Sequence, residues 1–182
     1  MANLFAIQGI GVIGNLMQYF LLVVFVLIIH GFIIYPFLLY SFTRIRPLSF
    51  YSKLRPVMLF AFSTSSSNAT MPVTLKTVTQ DIGVNPKIAS FTVPLGATIN
   101  MDGTALYLGI VALFAAQIFG IDLSFTDYLL IAMTATLTSI GTAGIPSASL
   151  FLLATVLSVI GISDEQTALI VGFVLPFDRI LD

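Results

Sequence analysis

The chain has 182 residues, of which 58% are hydrophobic and only 8% are charged. Soluble domains carry about 25% charged residues, so this composition excludes a soluble globular protein. The formal net charge of −1 argues against nucleic acid as a partner, and the absence of cysteine argues against a disulfide-bonded secreted scaffold. The composition therefore indicates an integral membrane protein in contact with the lipid bilayer.

The first elements in chain order are a helix end and a spanning helix. Residues 1–11 read as the tail of a preceding helix. The apolar run from Val12 to Tyr40 exceeds the ~20 residues that a helix needs to cross the hydrocarbon. We therefore predict a transmembrane helix over 12–42.

Two later segments, 48–80 and 123–161, consist of apolar arms that look too short to span. The run Leu54–Phe62 is followed by FSTSSSNATMP, and the run Tyr128–Thr138 is followed by SIGTAGIPSAS. Each arm falls short of the ~17 residues that mark the lower limit for a spanning helix. The arms therefore predict two helical hairpins with Ser/Gly-rich tips.

The charged residues around these segments indicate the side from which each hairpin enters. Basic residues flank the first segment, at Arg44, Arg46, Lys53, Arg55, Lys76 and Lys87. The loops around the second segment contain neither Lys nor Arg and carry Asp122, Asp127, Asp164 and Glu165 instead. By the positive-inside rule, the first segment has both ends in the cytoplasm and the second has both ends outside. We therefore predict two opposed re-entrant hairpins.

The two tips resemble each other, since Asn68–Pro72 reads NATMP and Thr142–Pro146 reads TAGIP. Together with entry from opposite faces, this similarity favours inverted repeats, in which broken helices bring irregular backbone to the middle of the membrane. Two proline-kinked ordinary spans are the alternative. At the first tip we expect a helix that starts near Met71–Pro72, whose free N–H groups suit a carboxylate.

The segment 88–120 is long enough to span, yet its centre contains TINMDGT. A charged side chain at the bilayer centre costs at least ~2.5 kcal/mol, so Asp102 should face a partner or a cavity. Asn100 and Asp102 supply oxygen ligands, and Gly96 and Gly103 make unwinding of the helix easier. We therefore predict a helix break that binds a hard cation such as Na⁺.

The last predicted helix, 165–182, adds more charged residues. Asp178 and Asp182 are four residues apart and share one helix face. One interpretation is that Arg179 forms an ion pair with one of the two acids and that this pair only holds helices together. Because acids outnumber the single base, a bound cation or a substrate ammonium group is the interpretation that we favour.

Four motifs, in the order SSSNATMP, NMDGTALY, SIGTAGIP and DRILD, resemble those of the dicarboxylate/amino-acid:cation symporter family, the glutamate-transporter fold. The resemblance covers essentially the whole chain. It implies an all-α membrane protein with transmembrane helices, two opposed re-entrant hairpins and an unwound seventh helix. It also implies that the family motif continues beyond Asp182, so that 1–182 is part of a transport domain. The complete protein would then be a homotrimer, joined through a scaffold outside this chain.

The resemblance also implies a role for individual residues. Substrate contacts would come from Ser65, Ser66, Ser67, Thr104, Ile145, Pro146, Ser147, Ala148, Ser149 and Asp182. Sodium ligands would come from Gly96, Thr98, Asn100, Asp102, Ser139, Ile140 and Thr142, with Asp178 in a supporting role.

The function implied is symport, driven by Na⁺ or H⁺, of an acidic amino acid or C4-dicarboxylate across the cell membrane, and not an enzymatic activity. Symport of small neutral amino acids is one alternative. The other is an intramembrane aspartyl protease that would pair Asp102 with Asp178, although the GxGD motif of such enzymes does not occur in the sequence.

Overall fold

The computed structural model of the protein describes residues 11–181, except for the side chains of residues 11–13 and 179. Within that range every regular element is a helix, as the sequence predicts. Residues 1–10, which make up nearly all of the helix end predicted over 1–11, lie outside the described residues. Asp182 lies outside them as well.

Nine α-helices and two π-helical turns follow one another in the described range. The α-helices are α1 Gly11–Ile29, α2 Tyr35–Thr43, α3 Pro47–Thr64, α4 Ser67–Thr77, α5 Pro86–Ile99, α6 Asp102–Phe119, α7 Phe125–Ser139, α8 Ala148–Ser158 and α9 Asp164–Leu181. The π-helical turns are His30–Ile34, between α1 and α2, and Val78–Ile82, after α4.

Two helical stretches in the described range are long and apolar enough to cross a bilayer. Gly14–Thr43 has 30 residues with a mean hydropathy of 2.6, and Pro86–Phe119 has 34 residues with a mean hydropathy of 1.5. These stretches correspond to the predicted elements 12–42 and 88–120. Their length and composition are consistent with a membrane transporter.

The described residues form two compact units, of which the first comprises 11–27, 102–139 and 149–181. It contains a continuous apolar core to which α1, α6, α7, α8 and α9 contribute. The largest fully buried apolar side chains of this core are Leu108, Leu153, Leu157, Ile170, Val23, Val111, Val156 and Val174.

The second unit comprises 28–101 and 140–148. In it α3 packs against α4, and α4 packs against α5. Only Ser65 and Ser66 separate α3 from α4. Lys53 Nζ, near the start of α3, donates to Asp81 O, beyond the end of α4, so the chain reverses direction and the two helices form a hairpin. Many large apolar side chains of this unit are exposed, such as Phe42 at 84% and Leu48 at 88%, which is the pattern expected of helices that contact lipid or further protein.

Helix α3 differs from its sequence prediction. The apolar run predicted an arm over Leu54–Phe62, whereas the helix begins at Pro47 and has 18 residues. The additional residues before Leu54, PLSFYSK, mix apolar and polar side chains, so a search for a continuous apolar run misses them. Pro47 at the first helical position suits a helix start. With this length α3 is not below the ~17-residue limit, so the shortness of the first arm is no longer an argument for re-entry.

Reciprocal caps start the two helices α7 and α9. Ser124 N and Oγ donate to Asp127 Oδ2 at 2.8 and 2.7 Å, and Ser163 N donates to Gln166 Oε1 at 3.0 Å. The Ser124 hydrogen bonds hold the pKa of Asp127 below its usual value. The ionised carboxylate of Asp127 complements the positive end of the helix dipole.

Candidate functional site

The first tip is the two-residue turn between α3 and α4. Ser65 ends α3 in the left-handed conformation, with φ +48°, and its N–H donates to Ala61 O at 2.8 Å. Ser66 is extended and caps α4, because its Oγ accepts from Ala69 N at 3.2 Å. The prediction of a helix start near Met71–Pro72 is therefore wrong: α4 begins at Ser67, and Pro72 lies inside it.

The second tip is the stretch 140–148, which follows α7 and ends at Ala148, the first residue of α8. Its backbone turns at Gly141, with φ +81°, and again at Ser147, with φ +60°. Between these points Ile145 N donates to Ala143 O at 2.8 Å, and Thr142 is buried. The stretch is therefore a compact loop held by its own hydrogen bonds.

The two tips are in direct contact. Ser66 Oγ donates to Gly144 O at 2.6 Å, and Asn68 N donates to the same oxygen at 3.0 Å. A Cβ atom added at Gly144 would lie 2.9 Å from Asn68 Oδ1 and 3.1 Å from both Asn68 N and Ser67 Cβ. Only glycine permits so close an approach of the two backbones.

The predicted break in the helix over 88–120 is observed at Asn100 and Met101, since α5 ends at Ile99 and α6 begins at Asp102. Asn100 N still donates to Gly96 O at 3.0 Å, but with φ −96° and ψ 63° the residue has left the helical conformation. The break is connected to the second tip, because Gly141 N donates to Thr98 O at 2.7 Å.

The second unit thus contains both tips and the C-terminal end of α5. Five of the seven predicted sodium ligands belong to this unit, namely Gly96, Thr98, Asn100, Ile140 and Thr142, whereas Asp102 and Ser139 belong to the first unit. The bond from Gly141 to Thr98 joins the segments that carry these five residues.

The donor set of this region fits a hard monovalent cation. No cluster of three His, Cys, Asp or Glu side chains occurs among the described residues. The possible cation ligands around Thr98 and Asn100 are mainly the oxygens of backbone carbonyl groups, of the Asn100 amide and of the Thr98 hydroxyl. Neutral oxygens at the ends of broken helices are the ligands with which membrane transporters hold Na⁺.

The predicted substrate residues divide between the units in the same way. Ser65 and Ser66 form the first tip, and Ser67 begins α4. Residues 145–148 form part of the second tip, with Ile145 and Pro146 exposed. Thr104, in the first turn of α6, and the buried Ser149 belong to the first unit.

Asp178 lies in the core of the first unit, where it is only 1% exposed. Tyr107 Oη donates to Asp178 Oδ1 at 3.4 Å, a long hydrogen bond. Tyr19 is 2% exposed and its hydroxyl has no hydrogen-bond partner among the described residues. Tyr19, Tyr107 and Asp178 are thus three buried polar side chains in this core, and of these three only Asp178 was predicted.

Two further residues of the tip contact, Asn68 and Gly144, were not among the predicted substrate or sodium residues. Asn68 donates its N–H to the second tip, and Gly144 provides the oxygen that accepts both bonds. A glycine within the TAGIP stretch is the signal that could have identified this close approach. The sequence gives no reason to expect a contact from Asn68 rather than from the serines that precede it.

We predict that Ser66→Ala loosens the second tip. The substitution removes both the cap to Ala69 and the bond to Gly144, which together contribute about 2 kcal/mol. Hydrogen–deuterium exchange of the 140–148 backbone in the complete protein should therefore accelerate at least about tenfold. The control is Ser63→Ala, since Ser63 Oγ donates only to Phe60 O within α3. Equal exchange in both variants would contradict the prediction.

Comparison with known proteins assigns the chain to a family. The sequence model of the sodium:dicarboxylate symporter family matches residues 1–182. Excitatory amino acid transporter 1 of Rattus norvegicus is 40% identical over 174 residues, which are 95% of this chain and 32% of that protein. The putative sodium-dependent excitatory amino acid transporter glt-4 of Caenorhabditis elegans is 40% identical over 168 residues, 92% of this chain and 33% of that protein.

Excitatory amino acid transporter 5 of Homo sapiens is 41% identical over 137 residues, 75% of this chain and 24% of that protein. The chain thus spans about a third of the length of the first relatives that it matches. The family and these relatives are described as transporters rather than as enzymes, which disfavours the protease alternative. The chain belongs to the sodium:dicarboxylate symporter family.

Proposed function

We propose that the complete protein is a secondary active transporter that couples the entry of Na⁺ to the uptake of an acidic amino acid or C4-dicarboxylate. The observation that carries this proposal is the pair of contacts that the second tip makes, from Gly144 to Ser66 and from Gly141 to Thr98. One loop thereby touches both the proposed carboxylate site and the proposed cation site. The family membership and the names of the relatives support the same function.

The proposed carboxylate site is the N-terminal end of α4 together with the residues Ser65, Ser66 and Ser67. Backbone N–H groups at the start of a helix attract anions. Two donors of this end, Ser66 Oγ and Asn68 N, bond to Gly144 O in the structure. A substrate carboxylate would take over these donors, so substrate binding would rearrange the second tip. Ile145–Ser149 would then close over the substrate, while Thr104 and Asp182 would contact its side chain and its amino group.

The proposed sodium site consists of carbonyl and side-chain oxygens of Gly96, Thr98, Asn100, Asp102, Ser139, Ile140 and Thr142. Asp102 would supply the negative charge, and Asp178 would have a supporting role. We favour Na⁺ over H⁺ because neutral oxygens, which neither gain nor lose a proton at physiological pH, dominate this set. The name of the C. elegans relative, which includes the words sodium-dependent, supports this choice.

We further propose that the segments 48–80 and 123–161 are re-entrant hairpins that enter the membrane from opposite faces. The reversal of the chain at Ser65–Ser66 and the packing of α3 against α4 support the first of them. The distribution of basic residues supports the opposite orientation of the second. In the complete protein this chain would form most of a transport domain in the cell membrane, within a homotrimer.

The test is uptake by the complete protein in proteoliposomes. We expect radiolabelled aspartate or succinate to accumulate when an inward Na⁺ gradient is imposed, and not when K⁺ replaces Na⁺. Accumulation driven by a proton gradient alone would support the H⁺ alternative instead. Accumulation of serine or alanine without aspartate or succinate would support the neutral amino acid alternative.

A further inference from the structure

The second unit contains an apolar groove between α2 and α3. The groove has a volume of about 390 Å³ and is lined by Tyr35, Leu38, Leu39 and Phe42 of α2 and by Phe50 and Tyr51 of α3. The Tyr51 hydroxyl donates to Gly31 O and so ties α3 to the preceding π-helical turn. The volume lies within the range of ordinary ligand pockets.

The linker between α2 and α3 places positive charge next to this groove. Arg44 follows Phe42 by two residues, and Arg46 directly precedes α3. Both arginines are exposed. The Arg44 guanidinium lies 5.6 Å from the centre of the Tyr40 ring, which holds it near the end of α2.

Negative charge is missing from this part of the sequence. The first 80 residues contain neither Asp nor Glu, while four of the seven basic residues fall between Arg44 and Arg55. Of these four, Lys53 is engaged with the backbone, since its Nζ donates to Asp81 O at 2.7 Å. Arg44 and Arg46 therefore concentrate positive charge at the end of the groove, and this charge favours the binding of an anionic group.

We propose that this groove binds an anionic phospholipid. One acyl chain lies along the apolar side chains, and the phosphate contacts Arg44 and Arg46. Basic residues at the cytoplasmic end of membrane helices are the usual headgroup contacts of such lipids. Tyr35, Tyr40 and Tyr51 fit this depth, because tyrosine is enriched where the bilayer meets water.

An anionic lipid fits the groove better than a zwitterionic lipid or a helix of another protein. A zwitterionic headgroup offers no net charge to the two arginines. An apolar helix would cover the groove and leave both guanidinium groups without a counter-charge. A diacyl lipid with a negatively charged headgroup provides both an acyl chain for the apolar groove and a counter-charge for the two arginines.

The test uses the complete protein, purified and exchanged into lipid of defined composition, with native mass spectrometry to count retained lipids. We expect phosphatidylglycerol to be retained at least about tenfold more strongly than phosphatidylcholine. Each of Arg44→Gln and Arg46→Gln should reduce the retention of phosphatidylglycerol about fivefold. The control is Lys87→Gln, an exposed basic residue at the start of α5, which should change nothing.

The acyl part of the proposal has its own pair of variants. Leu38→Trp fills the groove and should lower retention of phosphatidylglycerol, whereas Leu59→Trp, an exposed position of α3 outside the lining, should not. Equal retention by the arginine variants and Lys87→Gln would overturn the proposal. So would displacement by glycerol 3-phosphate as effective as by phosphatidylglycerol, or an unchanged retention in Leu38→Trp. None of these outcomes depends on transport, so the proposed function is tested separately.

Discussion

Replacing Gly144 by alanine should reduce transport by the complete protein by about two orders of magnitude. The added methyl group would lie 3.1 Å from both Asn68 N and Ser67 Cβ, two atoms that no side-chain rotation can move away. The second tip must then shift away from the first, which weakens the bonds from Ser66 and Asn68 to Gly144 O together. Initial uptake rates in proteoliposomes measure the effect.

Two other glycines provide matched controls for this substitution. Gly109 in α6 and Gly172 in α9 have nothing within 4 Å of an added Cβ. Alanine at these helical positions should leave uptake unchanged and stabilise the helices slightly. Uptake by Gly144→Ala at the level of these controls would show that the contact between the tips does not contribute to transport.

Replacing Asp102 by alanine should raise the Na⁺ concentration required for half-maximal uptake at least about a hundredfold, because loss of a charged partner from a desolvated site costs about 3 kcal/mol. Asp102 is the first residue of α6, directly after the break. Its carboxylate is the negative charge that we assign to the cation site. The measurement is uptake as a function of Na⁺ at a saturating substrate concentration.

Asp164→Ala is the control for Asp102→Ala. Asp164 is likewise the first residue of a helix, α9, and it is exposed. Both substitutions remove the same interaction with the helix dipole, about 0.3–1 kcal/mol, so a difference between them isolates the cation role. If both variants keep the Na⁺ dependence of the wild type, Asp102 is not a sodium ligand.

The break in the helix over 88–120 could be predicted because Asn100, Asp102 and the neighbouring glycines violate the apolar pattern around them. The start of α4 could not be predicted in the same way. Ser65, Ser66, Ser67 and Asn68 are all favourable capping residues, and only the tertiary contact with Gly144 explains why Ser66 takes the role. By capping propensity alone α4 could begin at any of several neighbouring residues, and the tertiary contact determines which of them caps the helix.

The buried tyrosines of the first unit illustrate a second limit. Tyr19 and Tyr107 lie in apolar stretches where an aromatic residue is unremarkable, and their sequence separation gives no sign that both are buried. Asp178 could be recognised because a carboxylate in a membrane helix is costly. Burying a hydroxyl group costs less than burying a carboxylate, so this criterion does not single out tyrosine. The contact of Tyr107 with Asp178 is therefore apparent only from the structure.

The peptide group that joins Gly144 to Ile145 is bonded on both sides. Its oxygen accepts from Ser66 Oγ and Asn68 N, and its N–H donates to Ala143 O. Both lone pairs of the oxygen are therefore in use. A rotation of this single peptide plane would break all three bonds in one step. The orientation of one peptide group thus couples the internal turn of the second tip to the contact of that tip with the first.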